Sequence, residues 1–96
     1  MRIRLKLYGV FRSAAKRRDL ELDTMEGSTV RSLVSQLVSQ EDYRSLKLLL
    51  LDSSTTDPRP NALILVSGRE LSVLNGMETV LHEGDEIAIL PIAHGG

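Results

Sequence analysis

An α+β fold, with one amphipathic helix packed on one face of a mixed sheet, is predicted by three features of the 96-residue sequence. Residues 2–8 alternate strictly between charged and apolar, apolar residues between 30 and 38 recur at helical spacing, and strand alternation returns at 86–92. A chain of this length forms one small core. That core must be aliphatic, because aromatic residues are 3% of the chain. The expected organisation is a single domain over 1–96, with 92–96 as a flexible C-terminal tail.

In "RIRLKLY", Ile3, Leu5 and Leu7 face one way and Arg2, Arg4 and Lys6 the other, as in a half-buried strand. Gly9 interrupts the pattern, and "VFRSAAKRRD" reads as a connection carrying Arg12, Lys16, Arg17 and Arg18. "LELD" at 20–23 alternates again, so the two strands should form an antiparallel hairpin with a long loop. "EGST" at 26–29 is a helix-start signal with Ser28 or Thr29 as N-cap. Val30, Leu33, Val34, Leu37 and Val38 then form the apolar stripe of the main helix. Residues 41–52 read either as a second short helix or as a helical turn running into an apolar stretch, and 53–61 as a loop marked by Asp57-Pro58 and Pro60.

The continuous apolar run "ALILV" at 62–66 predicts a central strand covered on both faces, followed by a Ser67-Gly68 turn and a short strand in "RELSVL". Asn75-Gly76 and Glu83-Gly84-Asp85 are turns in an irregular segment. The last strand, "EIAILPI", places Ile87 and Ile89 on one face and Ala88 and Leu90 on the other. Pro91, lacking a ladder donor, belongs at that strand's end or edge. Four to five strands and one main helix in this order match the β-grasp, or ubiquitin-like, arrangement, in which first and last strands pair in the middle of the sheet.

Composition narrows the function classes. There is no cysteine, which excludes disulfides, thiolate metal sites and a thiol nucleophile. A net charge of -1 gives no overall pull toward nucleic acid, and no direct nucleic-acid binding is expected. The longest apolar runs, "LLLL" and "ALILV", are too short to span a bilayer, and the alternating N-terminus lacks a signal-peptide block, so a cytoplasmic setting without membrane contact is expected. His82 and His94 stand twelve positions apart with no thiols, which makes no metal site. His82 reads as a surface turn residue, and the basic residues at 12–18 as a solvated loop. The apolar residues of the sheet's second face, drawn from Leu63 or Ile64, Leu65 or Val66, Ala88 and Leu90, with Leu65, Ala88 and Leu90 as the candidates, form either a partner-binding patch or a surface covered by residues 41–52.

The segment "LILVSGREL…VLNGMETVLHEGDEIAILPIAHGG" resembles the molybdopterin synthase small subunit and the thiamine sulfur carrier. "SGRE" (67–70), "GDEIAILP" (84–91) and the terminal glycines stand where those proteins carry an "NGRE"-like turn, a last strand and a Gly-Gly end. "YGVFRSAAKRRDLELD" and "GSTVRSLVSQL" resemble the same family's first loop, second strand and helix start. Ser67 replaces the usual Asn and Ile92 a second Pro, while "AHGG" is closer to the ending of ubiquitin-related and small archaeal modifier proteins.

The resemblance implies that the chain is a carrier and cosubstrate with no catalytic residue and no cofactor of its own. An adenylating enzyme, using ATP and Mg, would activate the carboxylate of Gly96 for conversion to a thiocarboxylate. The expected acceptor is a pterin precursor on the large subunit of molybdopterin synthase, or else another sulfur acceptor such as a transfer-RNA thiolase. The alternative is a protein tag joined through Gly96 to target lysines. Gly95, His94 and Pro91 would thread or guide the tail into a partner's active site. Glycines suit that task because, with no Cβ, other backbones approach closely.

Overall fold

The computed structural model describes residues 1–52 and 55–92. Five strands, β1 (Arg2–Leu7), β2 (Asp19–Asp23), β3 (Ala62–Val66), β4 (Arg69–Glu70) and β5 (Glu86–Pro91), form one sheet in the order β2-β1-β5-β3-β4. β1 and β2 are antiparallel, with Ile3 opposite Leu22 and Leu5 opposite Leu20. β5 runs parallel to β1, with Leu5 opposite Ile87, and antiparallel to β3, with Ile64 opposite Ile89. First and last strands therefore meet in the interior of the sheet, the β-grasp layout.

Alternation explains which face is buried. Ile3, Leu5, Leu7, Leu20, Leu22, Ile64, Val66, Ile87 and Ile89 all point to the helix side and are buried. The helix α2 (Val30–Val38) covers them with Val30, Leu33, Val34, Leu37 and Val38, the stripe read from spacing. Thr29 is its N-cap: its side chain accepts from the Ser32 N–H at 3.2 Å, and Ser32 Oγ accepts from the Thr29 N–H at 2.9 Å. Two backbone donors that a helix start leaves bare are thus satisfied.

Three segments, the first connection, β4 and β3, depart from the sequence reading, and residues 41–52 take one of the two forms it left open. The first connection contains a helix, α1 (Gly9–Ala15), which buries Phe11 and Ala15 one turn apart and ends at Lys16, with φ 60°. No capping side chain precedes it, so the usual start signal is absent. Of the two readings of 41–52, the helical one holds: a 3₁₀ turn (Glu41–Tyr43) leads into α3 (Arg44–Leu51), burying Leu46, Leu50 and Leu51. β4 is two residues long, and Leu71–Val73 turns into 3₁₀ helix because Glu70 caps it, accepting from the Ser72 N–H at 2.6 Å. β3 is buried on one face only. Leu63 is 38% exposed and Leu65 half-buried.

The chain returns from α3 to β3 through a loop locked at Asp57. Arg59 donates to both Asp57 carboxylate oxygens, the shortest contact being 2.7 Å, and its backbone N–H adds a bond of 2.9 Å. The guanidinium bonds hold the Asp57 carboxyl below its ordinary range. A depressed folded pKa gives stability that is present above the unfolded value and is lost as pH falls through the folded one. Chemical denaturation from about pH 5 down to about pH 2 should therefore give a shallower loss of stability for Asp57→Asn than for the wild type. Coincident acid limbs would refute that role.

Candidate functional site

The sheet's open face and the point where β5 ends form one continuous region. Leu90 stands opposite Leu63, and Ala88 opposite Leu65, so four apolar side chains from two neighbouring strands share the face away from the helices. Residues 41–52 do not cover this face: α3 packs its buried residues, Leu46, Leu50 and Leu51, into the core on the other side of the sheet. Leu65, Ala88 and Leu90 are thus brought together, each half-buried. Leu63, exposed and adjacent, belongs with them. The unbroken apolar run of β3 leaves open whether Leu63 or Ile64 takes this face, and the register gives it to Leu63.

Toward β2 the face becomes charged. Arg2, Arg4 and Lys6 line β1, and Asp19, Glu21 and Asp23 line β2. Arg2 reaches Glu21 at 3.5 Å and Asp23 at 3.6 Å, and Lys6 reaches Glu86 at 3.5 Å. The Arg2 pairs are exposed and the Lys6–Glu86 pair is partly so, and such pairs weigh little in stability. They do define an apolar strip with a charged border.

At its end β5 is gripped on both sides. The Tyr8 N–H donates to Ile89 O at 3.1 Å, and the Ile92 N–H donates to Asn61 O at 3.4 Å. The Asn61 side chain in turn donates to Leu50 O at 2.9 Å, tying the end of α3 to the same point. Pro91 sits at the strand's last position, opposite Ala62, where its missing N–H costs no interior ladder bond. Its ring lies over Gly9, whose φ is +56°. A Cβ on Gly9 would stand 2.7 Å from Pro91 Cγ and 3.3 Å from Cδ. Gly9 is therefore required twice, for its left-handed backbone and for the space its missing side chain leaves. Sequence reading saw Gly9 only as a pattern break.

The predicted tail residues His94, Gly95 and Gly96 lie outside the described residues. His82 is exposed beside Asp85, Nδ1 to Oδ2 3.8 Å, in the expected turn. Among the described residues no group of three or more His, Asp or Glu could hold a metal ion. No helix among them is long and apolar enough to cross a membrane.

Comparison with known proteins is consistent with this geometry. The ThiS family model matches residues 5–96. Small archaeal modifier protein 3 of Haloferax volcanii is 27% identical over 96 residues, covering 100% of both chains. A candidate sulfur carrier protein of Archaeoglobus fulgidus is 36% identical over 78 residues, covering 81% of this chain and 84% of that one. The solution structure of Urm1 from Trypanosoma brucei is 30% identical with a TM-score of 0.76, covering 99% of this chain and 95% of its own.

Proposed function

The chain belongs to the ThiS family of ubiquitin-like sulfur carriers and modifiers, and from that membership we propose that it is a sulfur carrier activated at the carboxylate of Gly96. The observation that carries the reading is the pairing of a family match reaching residue 96 with a last strand anchored up to residue 92. A fixed exit four residues short of Gly96 lets the sheet dock on a partner while the end of the chain reaches a separate active site.

A free α-carboxylate is ionised at neutral pH, with a pKa of about 3.3–3.7, and is a poor acyl electrophile. In the proposed reaction a Gly96 carboxylate oxygen attacks the α-phosphorus of ATP on an activating enzyme. An acyl–phosphate bond forms and pyrophosphate leaves. Hydrosulfide delivered by a partner then attacks the carbonyl carbon and expels AMP, leaving a thiocarboxylate. ATP and Mg belong to the activating enzyme, and the chain serves as cosubstrate. Leu65, Ala88 and Leu90 supply the docking strip, Pro91 directs the exit, and His94 and Gly95 thread. The resemblance of "SGRE" and "GDEIAILP" to the molybdopterin synthase small subunit favours a pterin precursor as acceptor, with that enzyme's large subunit as second partner.

A second reading has its own support. The full-length match to an archaeal modifier favours a tag, in which a target lysine amine attacks the same acyl-adenylate and AMP leaves. Mass spectrometry of the chain isolated from its own cells separates the two. Oxygen-to-sulfur replacement at Gly96 supports the carrier, and target lysines bearing the end of this chain support the tag. Absence of both, together with no ATP–pyrophosphate exchange by an activating enzyme from the same genome, would defeat either reading.

A further inference from the structure

Arg4 occupies an unusual electrostatic position on the sheet's open face. It lies on β1 directly opposite Glu21 of β2 and directly opposite Glu86 of β5. Both carboxylates are engaged by other cations along the diagonals: Glu21 by Arg2 at 3.5 Å and Glu86 by Lys6 at 3.5 Å. Arg18 holds Asp19 at 3.1 Å, so it too is paired. Among the described residues the exposed Arg4 guanidinium has no ion-pair partner, although it stands between two acids. It rises beside a depression of about 280 Å³ lined by Arg4, Lys6, Asp19, Glu21 and Glu86. One strand over, Ala88 opens the apolar strip.

We infer that Arg4 is the specificity contact of this face: the protein that covers the Leu63–Leu90 and Leu65–Ala88 strip places a carboxylate against the Arg4 guanidinium. The argument is charge complementarity. An apolar partner surface that covers the strip also reaches over β1, and desolvating an unpaired guanidinium there is costly unless an acid meets it. A guanidinium fork offers two parallel donors to a carboxylate, which adds direction to the attraction. A basic or uncharged surface at that point would leave the charge unpaired, so the arrangement also rejects wrong partners. The inference rests on the proposed function for the identity of its probe, the activating enzyme, and adds to it the chemistry of the surface that enzyme presents.

The test is equilibrium titration of the full chain against the activating enzyme from the same genome, without ATP, at low and high salt. Arg4→Ala should weaken binding by about tenfold and Arg4→Glu by more, while Arg4→Lys should recover part of the loss. Raising the salt should narrow the gap between wild type and Arg4→Ala. Arg12→Ala, which removes an exposed cation on α1, should bind as the wild type does. Leu65→Glu should also weaken binding, but with little salt dependence in the part due to lost apolar contact. Equal losses for Arg4→Ala and Arg12→Ala, or an Arg4 loss insensitive to salt, would overturn the assignment. A wild type that binds but is never adenylated would defeat the proposed function while leaving the Arg4 ranking to be judged by the titration. A wild type that does not bind would defeat both.

Discussion

Deleting Gly96, or adding one residue after it, is expected to reduce adenylation by the activating enzyme at least about 100-fold. The physical reason is length. One residue of extended chain spans about 3.3–3.6 Å, and a misplacement of about 1 Å at a reacting centre can already cost about 100-fold in rate. Because the chain is gripped through Tyr8–Ile89 and Ile92–Asn61, the last strand cannot slip forward out of the sheet to compensate without breaking those bonds. Pyrophosphate exchange measured with each variant checks the prediction, with the thermal midpoint as a control for folding. Full exchange by the shortened chain would show that Gly96 is not the reacting residue.

Gly9→Ala is expected to produce the second large effect, on stability and on presentation of the chain end together. An L-residue in the left-handed region costs about 1–2 kcal/mol. Forcing a Cβ to within 2.7 Å of the Pro91 ring adds an overpacking cost of about 1–3 kcal/mol. The sum, roughly 2–5 kcal/mol, is a large part of the roughly 5–15 kcal/mol that holds a small domain together. For a domain of this size each kcal/mol lowers the thermal midpoint by about 4–8 °C.

A double-variant cycle separates the two contributions. Pro91→Ala removes Cγ and Cδ, the atoms a Gly9 Cβ would meet first, so the double variant should be more stable than the sum of the single losses predicts. The left-handed cost should remain. Strict additivity would mean that the ring contact carries no strain. Where the Gly9→Ala protein still folds, its adenylation at limiting concentration should fall further than its folded fraction does, if Pro91 directs the exit as proposed.

Much of this was legible before any coordinates. The alternation of Arg2–Leu7 and Glu86–Leu90 placed every one of those side chains on its observed face, since a strand's period of two leaves no freedom once one face is buried. The stripe Val30–Val38 and its Thr29 cap were equally readable, because spacing and capping chemistry are local. Two elements were less legible. α1 has seven residues, begins at a left-handed glycine and has no capping side chain, so it is helical mainly because Phe11 and Ala15 find room in the core. β3 is apolar on both faces, and a run of that kind cannot say which face will be covered.

Local chemistry, then, determined the alternation of β1 and β5, the apolar stripe of α2 and its Thr29 cap. Assembly settled the rest. Parallel pairing of β1 with β5 brought Arg4 to the edge of an apolar strip from strands about sixty and eighty positions away, and set Gly9 beneath Pro91. Neither arrangement has a signature in its own neighbourhood of the chain, because each is a property of two segments that meet only once the sheet has formed.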